Sequence, residues 1–171
     1  MSNIRGIDHV GLTVPDLEQA TVFFQQAFDA KVLYDTLPRS EGPKGDAETA
    51  DRLGVPHGTQ EQAIRMLRLP NGPGVELFEF AGPRQQDPAL PCDLGWQHIA
   101  LYADDLDAAI SSVIDAGGRM LSEPQPLPGP EAGPRNRFIY CHTPWGSTLE
   151  LLSYPDEQPY ADETSLRRWR P

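Results

Sequence analysis

The sequence has few cysteines, no long apolar run and a shortage of basic residues. Its 171 residues include only Cys92 and Cys141, which excludes a disulfide framework and a cysteine zinc site. No apolar run approaches the roughly 20 residues of a membrane-spanning helix. The first ten residues also lack the basic and apolar regions of a secretory signal. We therefore expect a cytoplasmic protein without membrane association.

The shortage of basic residues bears on the partner class. Lys and Arg total 14 against 25 Asp and Glu, which gives a net charge of −11 and a pI of 4.6. Nucleic-acid-binding proteins usually carry a basic patch or a high pI, so we expect no nucleic-acid partner. A composition of 39% hydrophobic and 23% charged residues is typical of a soluble globular domain. The net charge does not indicate the sign of the charge inside a local pocket, so it does not exclude any small-molecule substrate.

The sequence contains an internal repeat, whose first landmark is a histidine. The segment IDHVGLTVPDLEQATVFF at residues 7–24 matches WQHIALYADDLDAAISSV at residues 96–113. This match aligns His9 with His98, and an Asp-Leu pair follows each histidine at the same distance. Self-similarity of this kind indicates that one structural unit occurs twice.

The second landmark of the repeat is a glutamate. LPNGPGVELFEF at residues 69–80 matches HTPWGSTLELLSY at residues 142–154, which aligns Glu76 with Glu150. The first copy is longer than the second by 15 residues between the two landmarks. We place this surplus in the irregular segment 38–61, which is rich in Pro, Gly and charged residues. Two ordered sets of matches with constant offsets are difficult to explain by chance.

The hydrophobic pattern of each copy predicts the order β-α-β-β-β. Strands are predicted near residues 6–14, 31–37, 62–69, 74–80, 96–103, 119–122, 136–142 and 147–153. A helix follows the first strand of each copy, and its apolar residues recur at helical spacing. We therefore predict an α+β protein in which 171 residues form one domain. It comprises module one at 5–80 with an insertion at 38–61, module two at 95–154, and a C-terminal tail at 155–171.

The repeated histidines and glutamates are candidate metal ligands. Side chains alternate along a strand, so His9 shares its face with the small Gly11, and His98 shares its face with the small Ala100. The two glutamates each stand between aliphatic residues, where a carboxylate is costly to bury unless it is paired or metal-bound. The four side chains suit one divalent cation: Zn²⁺, Ni²⁺, Co²⁺, Mn²⁺ or Fe²⁺.

Other charged features are assigned to the surface. Glu79 lies close to Glu76 in sequence, but Ser153 stands at its repeat position and it alternates to the opposite face. We interpret Glu79 as a surface residue, and His57 in the insertion likewise. The tail at 155–171 is polar with a basic end, which favours a solvated segment over a substrate clamp.

Four motifs together resemble the vicinal oxygen chelate superfamily. They are DHVGLTVPDLEQA, GVELFEF, WQHIALYADDLDAA and TPWGSTLELLSYP, and they extend over residues 5–154. This superfamily includes glyoxalase I, methylmalonyl-CoA epimerase, extradiol dioxygenases, and fosfomycin- and bleomycin-resistance proteins. The resemblance implies tandem βαβββ modules that form a cupped mixed sheet around a metal, usually in a homodimer.

The resemblance also implies an activity. His9, Glu76, His98 and Glu150 match the glyoxalase-type metal set, in which the glutamates act as bases. We therefore expect a metal-dependent isomerase or lyase that transfers a proton beside a metal-chelated carbonyl of a small substrate. The epimerases usually carry Gln where Glu76 stands, which makes their reaction the less favoured one. The familiar glyoxalase DPDG turn is replaced by TPWG at 143–146, so the resemblance leaves the substrate open.

Two alternatives to this activity remain. His9, His98 and Glu150 also match the iron ligands of extradiol ring-cleavage dioxygenases, and Tyr140 matches part of their signature. That signature requires a histidine where this chain has Glu-Ala-Gly at 131–133. The second alternative is a non-catalytic drug-binding protein of the bleomycin-resistance type, although such proteins commonly lack the metal ligands.

Four further residues are candidates for substrate binding. Trp96 is predicted on the same face as His98, and Tyr140 lies ten residues before Glu150. Arg135 and Arg137 follow a proline-rich loop and are candidates to bind an anionic group of the substrate.

Overall fold

The computed structural model describes residues 4–170. The chain divides into two compact units, one within residues 1–87 and one within residues 88–171. Each unit contains one copy of the repeat. Among the described residues, no helix combines the length and apolar character needed to cross a bilayer.

The first unit has the predicted β-α-β-β-β order with one added helix. Its elements are β1 (His9–Val14), α1 (Leu17–Phe28), β2 (Lys31–Leu37), α2 (Ala47–Leu53), β3 (Gln60–Arg68) and β4 (Gly74–Ala81). The strands form one sheet in the order β1-β4-β3-β2, in which β1 runs parallel to β4 and the other pairs are antiparallel. The prediction that segment 38–61 is irregular was wrong over α2, because Asp46 caps that helix by accepting from the Thr49 amide at 2.8 Å.

Helix α1 determines which face of the first sheet is buried. The Asp16 side chain caps the helix by accepting from the Gln19 amide at 2.8 Å. The apolar face of the helix is buried and packs on β3 and β4, as its 3.6-residue spacing predicts. Val75 and Leu77 of β4 are buried on this side. Because side chains alternate, Glu76 points to the opposite, uncovered face of the sheet.

The second unit repeats this arrangement. Its elements are β5 (Ile99–Tyr102), α3 (Leu106–Asp115), β6 (Arg119–Met120), β7 (Gln125–Pro126), β8 (Arg137–His142), β9 (Thr148–Ser153) and α4 (Tyr160–Glu163). The sheet order is β5-β9-β8-β6, with β7 paired to β8 and with β5 parallel to β9. Strand β5 is shorter than the predicted span of 96–103. The proline-rich loop that precedes Arg135 also contains the short strand β7.

Helix α3 covers the second sheet as α1 covers the first. Asp105 caps it by accepting from the Ala108 amide at 3.0 Å, and Leu106 and Val113 are buried. The turn after the helix needs Gly118, because a Cβ at that position would lie 2.5 Å from a side-chain carbon of Val113. Leu149 and Leu151 are buried in the core, so Glu150 is left on the face opposite α3.

Candidate metal-binding and catalytic site

The first unit brings His9 and Glu76 together on the uncovered face of its sheet. Strands β1 and β4 are neighbours, and their register places Gly11 beside Glu76. The Nε2 atom of His9 lies 3.3 Å from Oε2 of Glu76, and the two side chains are 39% and 15% exposed. The small Gly11 therefore shares the face of a mostly buried carboxylate, and a Cβ at this position would contact the Phe78 ring at 3.4 Å.

The second unit makes the same arrangement with His98 and Glu150. Strands β5 and β9 are neighbours, and their register places Ala100 beside Glu150. The Nε2 atom of His98 lies 3.2 Å from Oε2 of Glu150, and the side chains are 24% and 13% exposed. Repeat-equivalent residues therefore form repeat-equivalent His–Glu pairs.

Both histidines are oriented by the residue that precedes them. Nδ1 of His9 lies 2.8 Å from a carboxylate oxygen of Asp8, and Nδ1 of His98 lies 2.9 Å from Oε1 of Gln97. These oxygens accept the Nδ1 proton, which leaves Nε2 free to act as a ligand on the glutamate side. Metal-binding histidines are commonly held in this way, so the residues present fit a divalent ion. The hydrogen bond to Asp8 raises the pKa of His9, and Glu76 adds to this effect against the opposing effect of burial.

Glu150 lies in an environment suited to a proton acceptor. Burial raises the pKa of its carboxyl group, although the neighbouring His98 and Arg168 oppose that shift. A carboxylate with an increased proton affinity accepts protons more readily near neutral pH.

Tyr140 lies beside the second pair, as predicted. Its register position on β8 is opposite Glu150, and its ring meets the His98 ring edge to face with 5.2 Å between centroids. Burial raises the pKa of the Tyr140 phenol, and the negative charge of Glu150 raises it further. The phenol is therefore neutral at physiological pH and can donate a hydrogen bond on this face.

The four-ligand set stays a prediction. Within residues 4–170, the structure contains no cluster of three or more His, Cys, Asp and Glu side chains arranged to hold a metal ion. It does contain one His–Glu pair in each unit, with the orientation described above.

The other three candidates for substrate binding do not contact the His98–Glu150 pair. Trp96 is fully exposed at 101% of its reference area. Arg135 donates to Asp156 at 2.8 Å, and Arg137 donates to Asp107 of α3 at 3.0 Å. Both arginines line a surface cavity of about 420 Å³ at the start of α3, on the helix side of the sheet.

Glu79 points away from Glu76, as predicted, but it is not a surface residue. Its side chain is 13% exposed and forms an ion pair with Arg39. Its Oε2 atom also accepts from the Leu17 amide at 2.8 Å, so it binds the first turn of α1. The surface prediction failed because α1 returns over this face of β4.

The C-terminal tail was expected to be solvated, and its residues 162–170 are exposed, but two of its arginines also lie over aromatic rings. The guanidinium carbon of Arg168 lies 5.2 Å from the ring centroid of Tyr154, and that of Arg170 lies 5.1 Å from the ring centroid of Tyr102. The tail therefore folds back onto its own unit.

Comparison with known proteins identifies relatives of the whole chain. Residues 6–151 match the family model of the Glyoxalase/Bleomycin resistance protein/Dioxygenase superfamily. A 2-epi-5-epi-valiolone epimerase from Actinomyces sp is 37% identical over 169 residues, which cover 96% of this chain and 88% of the relative.

Solved structures share the fold. A glyoxylase/bleomycin resistance protein/dioxygenase domain from Frankia sp. EAN1pec is 21% identical with a TM-score of 0.62, covering 89% of this chain and 99% of that one. The fosfomycin resistance protein FosX from Listeria monocytogenes, in a mutant form solved with Mn(II) and dihydroxypropylphosphonic acid, is 19% identical. Its TM-score is 0.60, and the match covers 94% of this chain and 99% of that one. These neighbours confirm the predicted glyoxalase-like α+β fold.

Proposed function

The chain belongs to the glyoxalase/bleomycin resistance protein/dioxygenase superfamily, and we propose from this that it is a metal-dependent epimerase of a small hydroxylated ketone. The observation that carries the proposal is the His–Glu pair that occurs once in each unit, at 3.3 Å and 3.2 Å. The relative named as a valiolone epimerase supports an isomerase-type enzyme. The similarity to this relative favours epimerisation over the lyase reaction, although the epimerases that the sequence resembles usually carry Gln at the position of Glu76.

We propose His9, Glu76, His98 and Glu150 as the ligands of one divalent cation per chain. Imidazole and carboxylate together suit Zn²⁺, Ni²⁺, Co²⁺, Mn²⁺ or Fe²⁺, and the FosX structure with Mn(II) shows that this fold can hold such an ion. When bound, the ion would act as a Lewis acid toward the substrate carbonyl.

The two carboxylates would move the proton. Epimerisation beside a carbonyl requires that a proton leaves one face of a carbon atom and returns to the other. Glu150 has the raised pKa and accepts the proton in this proposal, while Glu76 supplies the second acid–base group from the equivalent position. Tyr140 adds a neutral O–H donor that can orient a substrate oxygen.

Solvent-deuterium exchange tests this function. The metal-loaded protein is incubated in D₂O with hydroxylated cyclic ketones, and NMR follows both deuterium incorporation and formation of the second epimer. We expect Glu150→Gln and Glu76→Gln to lower kcat by about 100-fold or more, because a general base typically contributes that much. The matched control is Glu48→Gln, since Glu48 is exposed in the first turn of α2. Unchanged turnover in Glu150→Gln would overturn the role of this carboxylate.

A ring-cleavage dioxygenase is the second candidate. The specific observation that favours it is the contact of the Tyr140 and His98 rings, because extradiol enzymes resemble this chain at both positions. Oxygen uptake with catechols by the iron-loaded protein tests it. In such an enzyme Glu76→Gln would retain iron and activity, whereas the epimerase would lose its proton transfer.

A further inference from the structure

The C-terminal tail lies over the same face of the second sheet as Glu150. Glu150 and Leu152 are two residues apart on β9 and therefore point to one side. Tyr102 is opposite Leu152 in the register of β5 and β9, so it shares this side. The Tyr154 ring packs against the Tyr102 ring with centroids 4.7 Å apart. The two tyrosines thus continue the Glu150 face toward the end of the sheet.

The tail arginines are held in place on these rings. Arg170 lies over both tyrosines, 5.1 Å from the Tyr102 centroid and 5.4 Å from the Tyr154 centroid. Its Nη2 atom also donates to the Tyr102 hydroxyl at 2.6 Å. Arg168 lies 5.2 Å from the Tyr154 centroid. Cation–π contacts of this kind restrict a guanidinium group that would otherwise be mobile.

Arg168 also forms an ion pair with Glu131, and the pair is accessible to a ligand. The two side chains are each 39% exposed. Tyr102, which Arg170 covers, lies two residues along β5 from Ala100, the register partner of Glu150. Tyr154, which Arg168 covers, packs against Tyr102. The tail arginines are therefore on the face of the proposed catalytic carboxylate and next to it along the sheet.

The chemistry of this pair suits neutral hydroxyl groups. A guanidinium offers several fixed donors and a carboxylate offers only acceptors, whereas a hydroxyl group can both donate and accept. Two neighbouring hydroxyls could bond to both members of the pair without changing its net charge. An anionic group would instead be repelled by Glu131 and would have to separate Arg168 from it.

We propose that Glu131, Arg168 and Arg170 form a polyol-recognition subsite, positioned by Tyr102 and Tyr154. The subsite binds neighbouring hydroxyl groups on the part of a neutral substrate that is remote from the reacting carbon. This inference rests on the proposed function for the identity of the substrate, and it adds the tail as the element that selects a polyhydroxylated one.

The test compares Arg168→Gln with Arg168→Lys and with Arg84→Gln. Arg84 lies in the exposed turn after β4, so Arg84→Gln makes the same charge change outside the subsite. Two ketone substrates are used, one polyhydroxylated and one without the remote hydroxyls. Calorimetry measures binding of the polyol, which is the alcohol that corresponds to the polyhydroxylated ketone and cannot react because it has no carbonyl group.

We expect Arg168→Gln to raise KM for the polyhydroxylated ketone by about 10- to 100-fold, as loss of charged hydrogen bonds would do. We expect KM for the hydroxyl-free ketone to stay unchanged, because Arg168 binds only the remote hydroxyls in this proposal. Arg168→Lys keeps the ion pair but not the fork of donors, so it should recover only part of the affinity.

Each outcome separates this subsite from the epimerase proposal. The subsite is overturned if Arg168→Gln binds the polyol as tightly as Arg84→Gln, or if the hydroxyl-free ketone is slowed as much as the polyhydroxylated one. It is also overturned if inorganic phosphate competes for the site more tightly than the polyol, or if the wild-type protein binds no polyol. If the wild-type protein binds the polyol through Arg168 without any deuterium exchange, the subsite stands and the epimerase proposal fails.

Discussion

His98 and Glu150 face each other through Nε2 and Oε2 at 3.2 Å, while Gln97 holds the opposite ring nitrogen of His98. His9 and Glu76 show the same relationship at 3.3 Å in the first unit. The repeat has therefore kept the relative orientation of the pair as well as the residue types. Each pair brings one imidazole nitrogen and one carboxylate oxygen together, which is a donor combination that suits a divalent cation.

Metal content tests whether the two pairs share one ion. We expect the wild-type protein to hold one divalent ion per chain after dialysis, measured by elemental analysis. His9→Ala and His98→Ala should each lower this content, because each removes a ligand. His57→Ala is the matched control, since His57 is exposed and pairs with Asp51 in the first unit. Two ions per chain in the wild-type protein, or full loading of both ligand variants, would show that the pairs do not share an ion.

The residues that hydrogen-bond to Nδ1 of the two histidines should increase metal affinity. Asp8 and Gln97 accept from Nδ1 of His9 and His98 and so orient the ligand nitrogens. We expect Asp8→Ala and Gln97→Ala to weaken metal binding by about 10- to 100-fold, as substitutions behind metal ligands commonly do. Competition with a chromogenic chelator measures the affinity, and circular dichroism checks that the fold is retained. Equal affinity in Gln97→Ala and the wild-type protein would contradict this role.

Glu79 should stabilise the fold rather than take part in catalysis. Its carboxylate accepts from the Leu17 amide at 2.8 Å and pairs with Arg39. Removing it would leave a helix-terminal amide without this partner, so we expect Glu79→Ala to lower the free energy of unfolding by about 1–3 kcal/mol. Urea denaturation measures the change, with Glu48→Ala as the exposed control. Identical midpoints for the two variants would disprove the stabilising role.

The two cysteines should differ in reactivity. Cys141 is buried, and burial raises the pKa of its thiol to about 11. At pH 8 roughly one molecule in a thousand would then carry the thiolate, which is the reactive form. Cys92 is exposed, so we expect one thiol per chain to react with Ellman's reagent in the native protein and two in guanidinium chloride. Cys92→Ser should leave no rapidly reacting native thiol. Rapid reaction of Cys141 in the native state would contradict its burial.

Local sequence patterns predicted most of the fold, because the apolar residues that pack each helix and strand recur at the period of that element. Strand β2 begins and ends where the pattern placed it, and each first helix is capped by the aspartate of the repeated Asp-Leu pair, Asp16 or Asp105. Boundaries were less accurate in β5, where the exposed Trp96 lies outside the strand. Helix α2 was missed because a seven-residue helix is too short to show a clear periodicity.

By itself, the sequence determined the duplication, the βαβββ order of each module and the choice of His9, Glu76, His98 and Glu150. Repeat alignment and strand alternation need no knowledge of remote contacts, so the duplication and the strand order are found in the structure, whereas the metal-binding role of the four residues stays a prediction. Only the tertiary structure decided what the charged residues other than these four do. Glu79 became a helix-binding residue because α1 packs over β4, and the tail arginines reached Tyr102 and Tyr154 because the chain turns back after β9. Contacts between residues this far apart in sequence depend on tertiary packing and produce no periodic pattern in the amino-acid sequence.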